Sequence, residues 1–126
     1  MGRRHNDINY LLPRDVYMAT VWYIRGYRRL LEHYEEILEG SAPLSETTGK
    51  SGPGDPTFRK AAKLAEISGR LEPINAALER IPEEYRDGVL RAIVDKERYP
   101  NTAGKATWKR WRQRFVYYVA LEAGFI

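Results

Sequence analysis

Between Pro13 and Glu39 the chain has no internal proline, and Val16, Thr20, Tyr23, Tyr27, Leu30, Tyr34 and Ile37 recur at spacings that alternate between four and three. That period places these side chains on one stripe of an α-helix. Sustained this long, the seam predicts a helix lying along a partner helix, as in a coiled coil or bundle. Pro13 and Asp15 suit its first turn, Asp15 because the helix dipole favours an anion there, and Gly40 ends the run. Gly26 in the middle costs about 1 kcal/mol against Ala and is expected to mark a close helix contact. Tyrosine is unusual in such a seam because its hydroxyl needs a partner or water, so this surface reads as amphipathic.

A matching seam follows at Leu64, Ile67, Leu71, Ile74, Leu78 and Ile81, and the two helices are expected to pair as an antiparallel hairpin. Asp55 is placed to cap the second helix and Pro56 to fill its first position. Pro73 removes a hydrogen bond and disfavours the helical conformation at Glu72, which predicts a kink or break near residues 70–73. Pro82 opens a third helix with Glu83 and Glu84 in its first turn and Tyr85, Val89, Leu90, Ile93 and Val94 on its apolar face; Gly88 weakens it slightly. Tyr99-Pro100-Asn101-Thr102 reads as a turn, with Asn and Thr available to cap a last helix that Gly124 closes.

No segment alternates with period two, so the expected fold is all-α. It comprises a long helical hairpin, with helices at about 14–39 and 56–80, followed by a helix-turn-helix-like pair at about 82–97 and 103–123. In domain terms, an N-terminal long helix (1–39) and a flexible linker (40–55) precede a helical domain (56–126), all within one compact domain. The linker, GSAPLSETTGKSGPGD, holds one large apolar side chain, Leu44, among residues that favour mobility. Its Gly49-Lys50-Ser51 is the ending of a phosphate loop, but Leu44 stands where that motif needs its first glycine.

At 126 residues, 43% apolar and 12% aromatic, the chain can bury a real core and does not have the composition of a disordered protein. No run reaches the roughly 18 apolar residues of a membrane helix, and MGRRHNDINYLL lacks the apolar core of a signal peptide, so a cytoplasmic protein with no membrane contact is expected. With no cysteine and only His5 and His33, neither thiol chemistry nor a metal or other cofactor is expected. Nor is an enzyme. Glu35-Glu36 and Glu83-Glu84 are helix neighbours that point apart, the serines at 41, 45, 51 and 68 have no nearby histidine, and His33 sits on a charged, solvated stretch.

The net charge of +4 is unevenly spread: residues 1–30 carry six basic and two acidic groups, 31–58 one and six, 59–104 nine and eight, and 105–126 five and one. A basic cluster confined to one short element is the footprint of nucleic-acid recognition. In the last helix, Lys105, Lys109, Arg110, Arg112 and Arg114 occur with no acid between them, in the half of the helix where the dipole disfavours cations. On a helical wheel Trp108, Trp111, Phe115, Tyr118 and Val119 share one face. Lys105, Lys109 and Arg112 lie on a flank, and Arg110 and Arg114 on another side. The aromatics are expected to anchor while the cations face outward to neutralise phosphates. Thr107 and Gln113 are the neutral candidates for base contact. Arg3, Arg4, Arg14, Arg25, Arg28 and Arg29 are candidates to extend the positive surface.

From Leu78 to Ile126, about 40% of the chain, the sequence resembles the C-terminal module of phage-encoded transcription regulators of the RinA and ArpU kind. The matching marks are Ile81-Pro82 with Tyr85-Arg86, Tyr99-Pro100, Trp108-Lys109-Arg110-Trp111 with Arg114-Phe115, and Ala120 to Ile126. The resemblance implies a DNA-binding end similar to sigma factor region four, with residues 82–96 supporting and 103–123 reading double-stranded DNA. It differs from a full region four in lacking an extra short helix and a Gly-containing turn between the two, where only about Glu97 to Asn101 intervene. RNA polymerase is a further partner implied by this resemblance, and a homodimer through the long helices would read paired half-sites. The alternatives are a protein-interaction module using the Tyr-rich first helix, and a small terminase-like packaging subunit.

Overall fold

A computed structural model describes residues 8–40 and 55–126. The phosphate-loop-like Gly49-Lys50-Ser51, nearly all of the linker, and Arg3, Arg4 and His5 lie outside the described residues. The fold is all-α. A 3-10 turn at Ile8–Tyr10 leads into α1 (Arg14–Arg25), α2 (Tyr27–Leu38), α3 (Pro56–Glu79), α4 (Glu83–Val94) and α5 (Lys105–Glu122), with no strand among the described residues.

The long first helix is interrupted at Gly26, which is buried and whose N–H donates to Tyr23 O at 3.1 Å, a tightened turn in place of the regular ladder. Gly26 is therefore a joint between α1 and α2. The buried positions of α1 are Thr20, Val21 and Ile24, with Tyr17 and Tyr23 packed beside them. The inward face thus follows the 17–20–21–24 pattern and is rotated from the heptad seam, which omitted Val21 and Ile24. Thr20, buried in this apolar face, satisfies its hydroxyl by donating to Val16 O at 2.7 Å.

Of the kink or break expected near residues 70–73, a break does not occur: α3 runs through Pro73 to Glu79. A proline inside a helix costs about 3 kcal/mol. Here the residues that follow it, Ile74, Ala77 and Ile81, are fully buried, and each large apolar side chain among them returns about 1.5–3 kcal/mol on burial. The start of α4 is as expected, with Pro82 before the helix and Glu83 and Glu84 in its first turn. Arg86 of α4 reaches back to the end of α3 and donates from Nε to Ile81 O at 2.8 Å, satisfying a carbonyl at the junction. At the end of α5, Gly124 takes φ +83 and donates to Leu121 O, while Phe125 N–H reaches Ala120 O at 2.8 Å. This is the glycine-closed helix end that the sequence suggested.

The described chain divides into two compact units, one formed by the residues up to Tyr27 with Pro73–Ile126 and the other by Arg28–Glu72. In the first, α5 approaches both α1 and α4, and α1 approaches α4. The core there joins Val21 and Ile24 of α1, Ile74 and Ala77 of α3, Val89 and Ile93 of α4 and Trp108, Phe115, Val116 and Val119 of α5. In the second unit Ile37 of α2 and Ile67 and Leu71 of α3 are buried, all three on the seams read from the sequence.

Candidate nucleic-acid interface

Residues 95–104 connect α4 to α5, longer than the turn of about 3–4 residues in a standard helix-turn-helix, and longer than the stretch from Glu97 to Asn101 expected to intervene. Two local causes lengthen it: Lys96 adopts a left-handed φ of +57, beyond the end of α4, and Pro100 disfavours the helical conformation at Tyr99 before it. The connection is fixed to α5 by Trp108. Its indole Nε1 donates to Pro100 O at 3.1 Å, Tyr99 stacks on one ring face with centroids 5.4 Å apart, and Tyr85 meets it edge-on at 5.1 Å. Trp108, Tyr85 and Tyr99 therefore set where α5 begins.

That beginning is at Lys105. Gly104 precedes it with an extended backbone and no side-chain cap, so Asn101 and Thr102 lie in the turn and do not cap the helix. Burial then divides α5 in two. From Trp111 to Ala120 no side chain is fully exposed, because α1, α4 and the 3-10 turn surround this part. In the first two turns Lys105, Ala106, Lys109 and Arg110 are exposed, and positions separated by four stand above one another on one face of a helix.

The seven candidate residues are thus placed differently. Lys105, Lys109 and Arg110 are presented to solvent, and Thr107 is half-buried beside them. Arg112, Gln113 and Arg114 are half-buried and hold α5 to the N-terminal segment. Arg112 Nε donates to the Tyr17 hydroxyl at 3.2 Å, and Gln113 Nε2 donates to Tyr10 O at 3.3 Å. The Arg114 guanidinium lies 4.6 Å from the centre of the Tyr10 ring and 5.2 Å from that of Trp111. Burial alone would lower the Arg112 pKa, but the hydroxyls of Tyr17 and Tyr99 outweigh it and leave the value raised, so the charge is permanent.

Two hollows adjoin at Tyr99 and Arg112. One, of about 530 Å³, lies between the segment from Tyr10 to Arg14, Tyr17, and the α5 side chains Lys109, Arg112 and Gln113. The other, of about 630 Å³, is bordered by Arg98, Tyr99, Lys105, Trp108 and Arg112, with Glu97 as its one carboxylate. Arg14 and Arg98 are exposed and join the cations of α5 around these openings. Of the arginines proposed to extend the positive surface, Arg14 takes that place. Arg25 instead lies 4.9 Å over the Trp22 ring. Tyr10 and Tyr17 were not legible as site residues, since both are far from α5 in sequence and neither belongs to a local motif; Tyr99 was legible only as part of the turn before α5.

Among the described residues no group of three His, Cys, Asp or Glu side chains is placed to hold a metal ion, and no helix is long and apolar enough to cross a membrane. Comparison with protein families, curated proteins and solved structures finds no match.

Proposed function

We propose that this protein binds double-stranded DNA through the first two turns of α5, as a transcription regulator of the phage type. The observation that carries the proposal is the exposed face formed by Lys105, Ala106, Lys109 and Arg110 at the start of a helix whose next ten residues, Trp111 to Ala120, are buried or half-buried. In helix-turn-helix proteins the N-terminal residues of the recognition helix contact base edges, and the major groove is wide enough to admit them. Arg110 carries the planar fork that suits guanine, while Lys105 and Lys109 suit phosphates. Ala106 keeps the face between them low. Arg14 and Arg98 on the same unit supply flanking phosphate contacts. Thr107 and Gln113 contribute less, because Thr107 is half-buried and Gln113 is bonded to Tyr10 O. The phage-regulator part of the proposal rests on the resemblance carried by residues 78–126.

Fluorescence anisotropy with a random duplex tests it. The wild type is expected to bind at about 50 mM salt, where phosphate contacts are strong, and Lys109→Ala with Arg110→Ala to weaken binding by about tenfold or more. Thermal unfolding of that variant should match the wild type. Unchanged DNA affinity would contradict the proposal.

A second reading, a protein-interaction module, draws on α1. Tyr23 and Tyr27 of the aromatic seam, and Tyr17 beside it, are packed against the core, whereas Met18 and Trp22 on another face are exposed. Capture of one protein at fixed stoichiometry through Trp22, with no DNA retained at low salt, would favour it.

A further inference from the structure

The 530 Å³ hollow beside α5 has a composition that DNA contact does not require. Its volume falls in the range of about 300–1,000 Å³ typical of small-ligand sites. Its lining combines apolar and aromatic side chains, among them Tyr10, Leu12, Tyr17 and Tyr99, with three cations, Arg14, Lys109 and Arg112, and no carboxylate. Among the described residues none of these three cations forms an ion pair. Arg112 is the fixed member, half-buried and oriented by the Tyr17 hydroxyl. Holding three positive groups around one space costs Coulomb energy that a bound anion would recover. A doubly charged group recovers more than a single charge, and the guanidinium fork matches phosphate oxygens.

We propose that this hollow is a binding site for a small aromatic phosphate monoester, its ring laid against Tyr10, Leu12 and Tyr99 and its phosphate held by Arg14, Lys109 and Arg112. The site is assembled within one unit, from the N-terminal segment, the α4–α5 connection and α5. Lys109 belongs both to this site and to the exposed face of α5, so occupancy would withdraw one cation from DNA contact. The proposal does not rest on DNA binding, and its test contains no DNA.

Isothermal titration calorimetry of the full chain with 1-naphthyl phosphate is the test, compared with 1-naphthol, 1-naphthoate and inorganic phosphate. Saturable binding of one 1-naphthyl phosphate per chain is expected, with all three comparators weaker. Arg14→Ala with Lys109→Ala should weaken it about tenfold or more through lost charge-assisted hydrogen bonds. Arg112→Lys, which keeps the charge and loses the fork, should also weaken it, with unfolding monitored alongside. Lys63→Ala, an exposed cation in the other unit, should change nothing. No saturation below about 1 mM would overturn the proposal. So would equal binding of 1-naphthol, equal binding of inorganic phosphate, or an affinity indifferent to Arg14 and Lys109. A chain that binds 1-naphthyl phosphate but not DNA keeps this site and loses the DNA reading, and the reverse result does the opposite.

Discussion

Gly88 shows how much rests on one missing methyl group. A Cβ built there would lie 2.6 Å from Trp108 Cη2 and 2.7 Å from Cζ3, with Pro100 Cδ at 3.1 Å. Trp108 is itself held by Tyr85, Tyr99 and Pro100 O, so it has little freedom to retreat. Gly88→Ala should therefore destabilise the fold by about 1–3 kcal/mol, as overpacking does. Gly69→Ala in α3, where nothing lies within 4 Å, should stabilise it by about 0.5–1 kcal/mol. Urea unfolding of the pair checks both signs. The sequence marked Gly88 only as a weak helix position, since its partner is contributed by a different helix. A second residue effect concerns Tyr118, whose pKa is raised by burial and by its hydrogen bond with Tyr10. The folded state holds that proton more tightly than the unfolded chain, where tyrosine titrates near pH 10. The resulting stabilisation is complete below that pH and is lost as pH rises through the folded value. Thermal unfolding followed from pH 9 to 11 should fall less steeply in Tyr118→Phe than in the wild type; parallel curves would count against this.

The individual helices were readable because their signals are local. Pro56, Pro82 with Glu83 and Glu84, and Gly124 act within a turn of where they stand, and each marks an element end in the structure. The inward face of α1 and the continuity of α3 through Pro73 were not readable, because they depend on what packs against those helices. The same is true of α5. The sequence placed one aromatic face of α5 inward and its cations outward, yet from Trp111 to Ala120 no side chain is fully exposed, Arg112 and Arg114 included. The two halves should respond oppositely to substitution. Phe115→Ala is expected to cost about 3–5 kcal/mol, whereas Lys105→Ala, Lys109→Ala and Arg110→Ala should each stay within about 0.5 kcal/mol of the wild type. Chemical unfolding of the four variants separates stabilising residues from those available for binding.

At the level of the whole molecule, the candidate surface draws on residues that are remote in the chain. Arg112 and Tyr17 are 95 positions apart and Gln113 and Tyr10 are 103, distances over which hydrophobic periodicity carries no information. The basic residues of α5 were visible from the sequence. That Arg112, Gln113 and Arg114 tie the N-terminal segment down, while Lys105, Lys109 and Arg110 remain outside with Arg14 and Arg98, was not. If those five cations form the DNA contact, binding must be electrostatic in a countable way, because each neutralised phosphate contributes about −0.9 to the slope of log K against log salt. The most direct test is therefore the affinity for duplex DNA measured by anisotropy across a salt series. A linear decline with a slope of about −3 to −5 is predicted, reduced by about 2 in the Lys109→Ala, Arg110→Ala variant. No binding at low salt, or binding whose salt dependence is the same in wild type and variant, would contradict DNA recognition by α5.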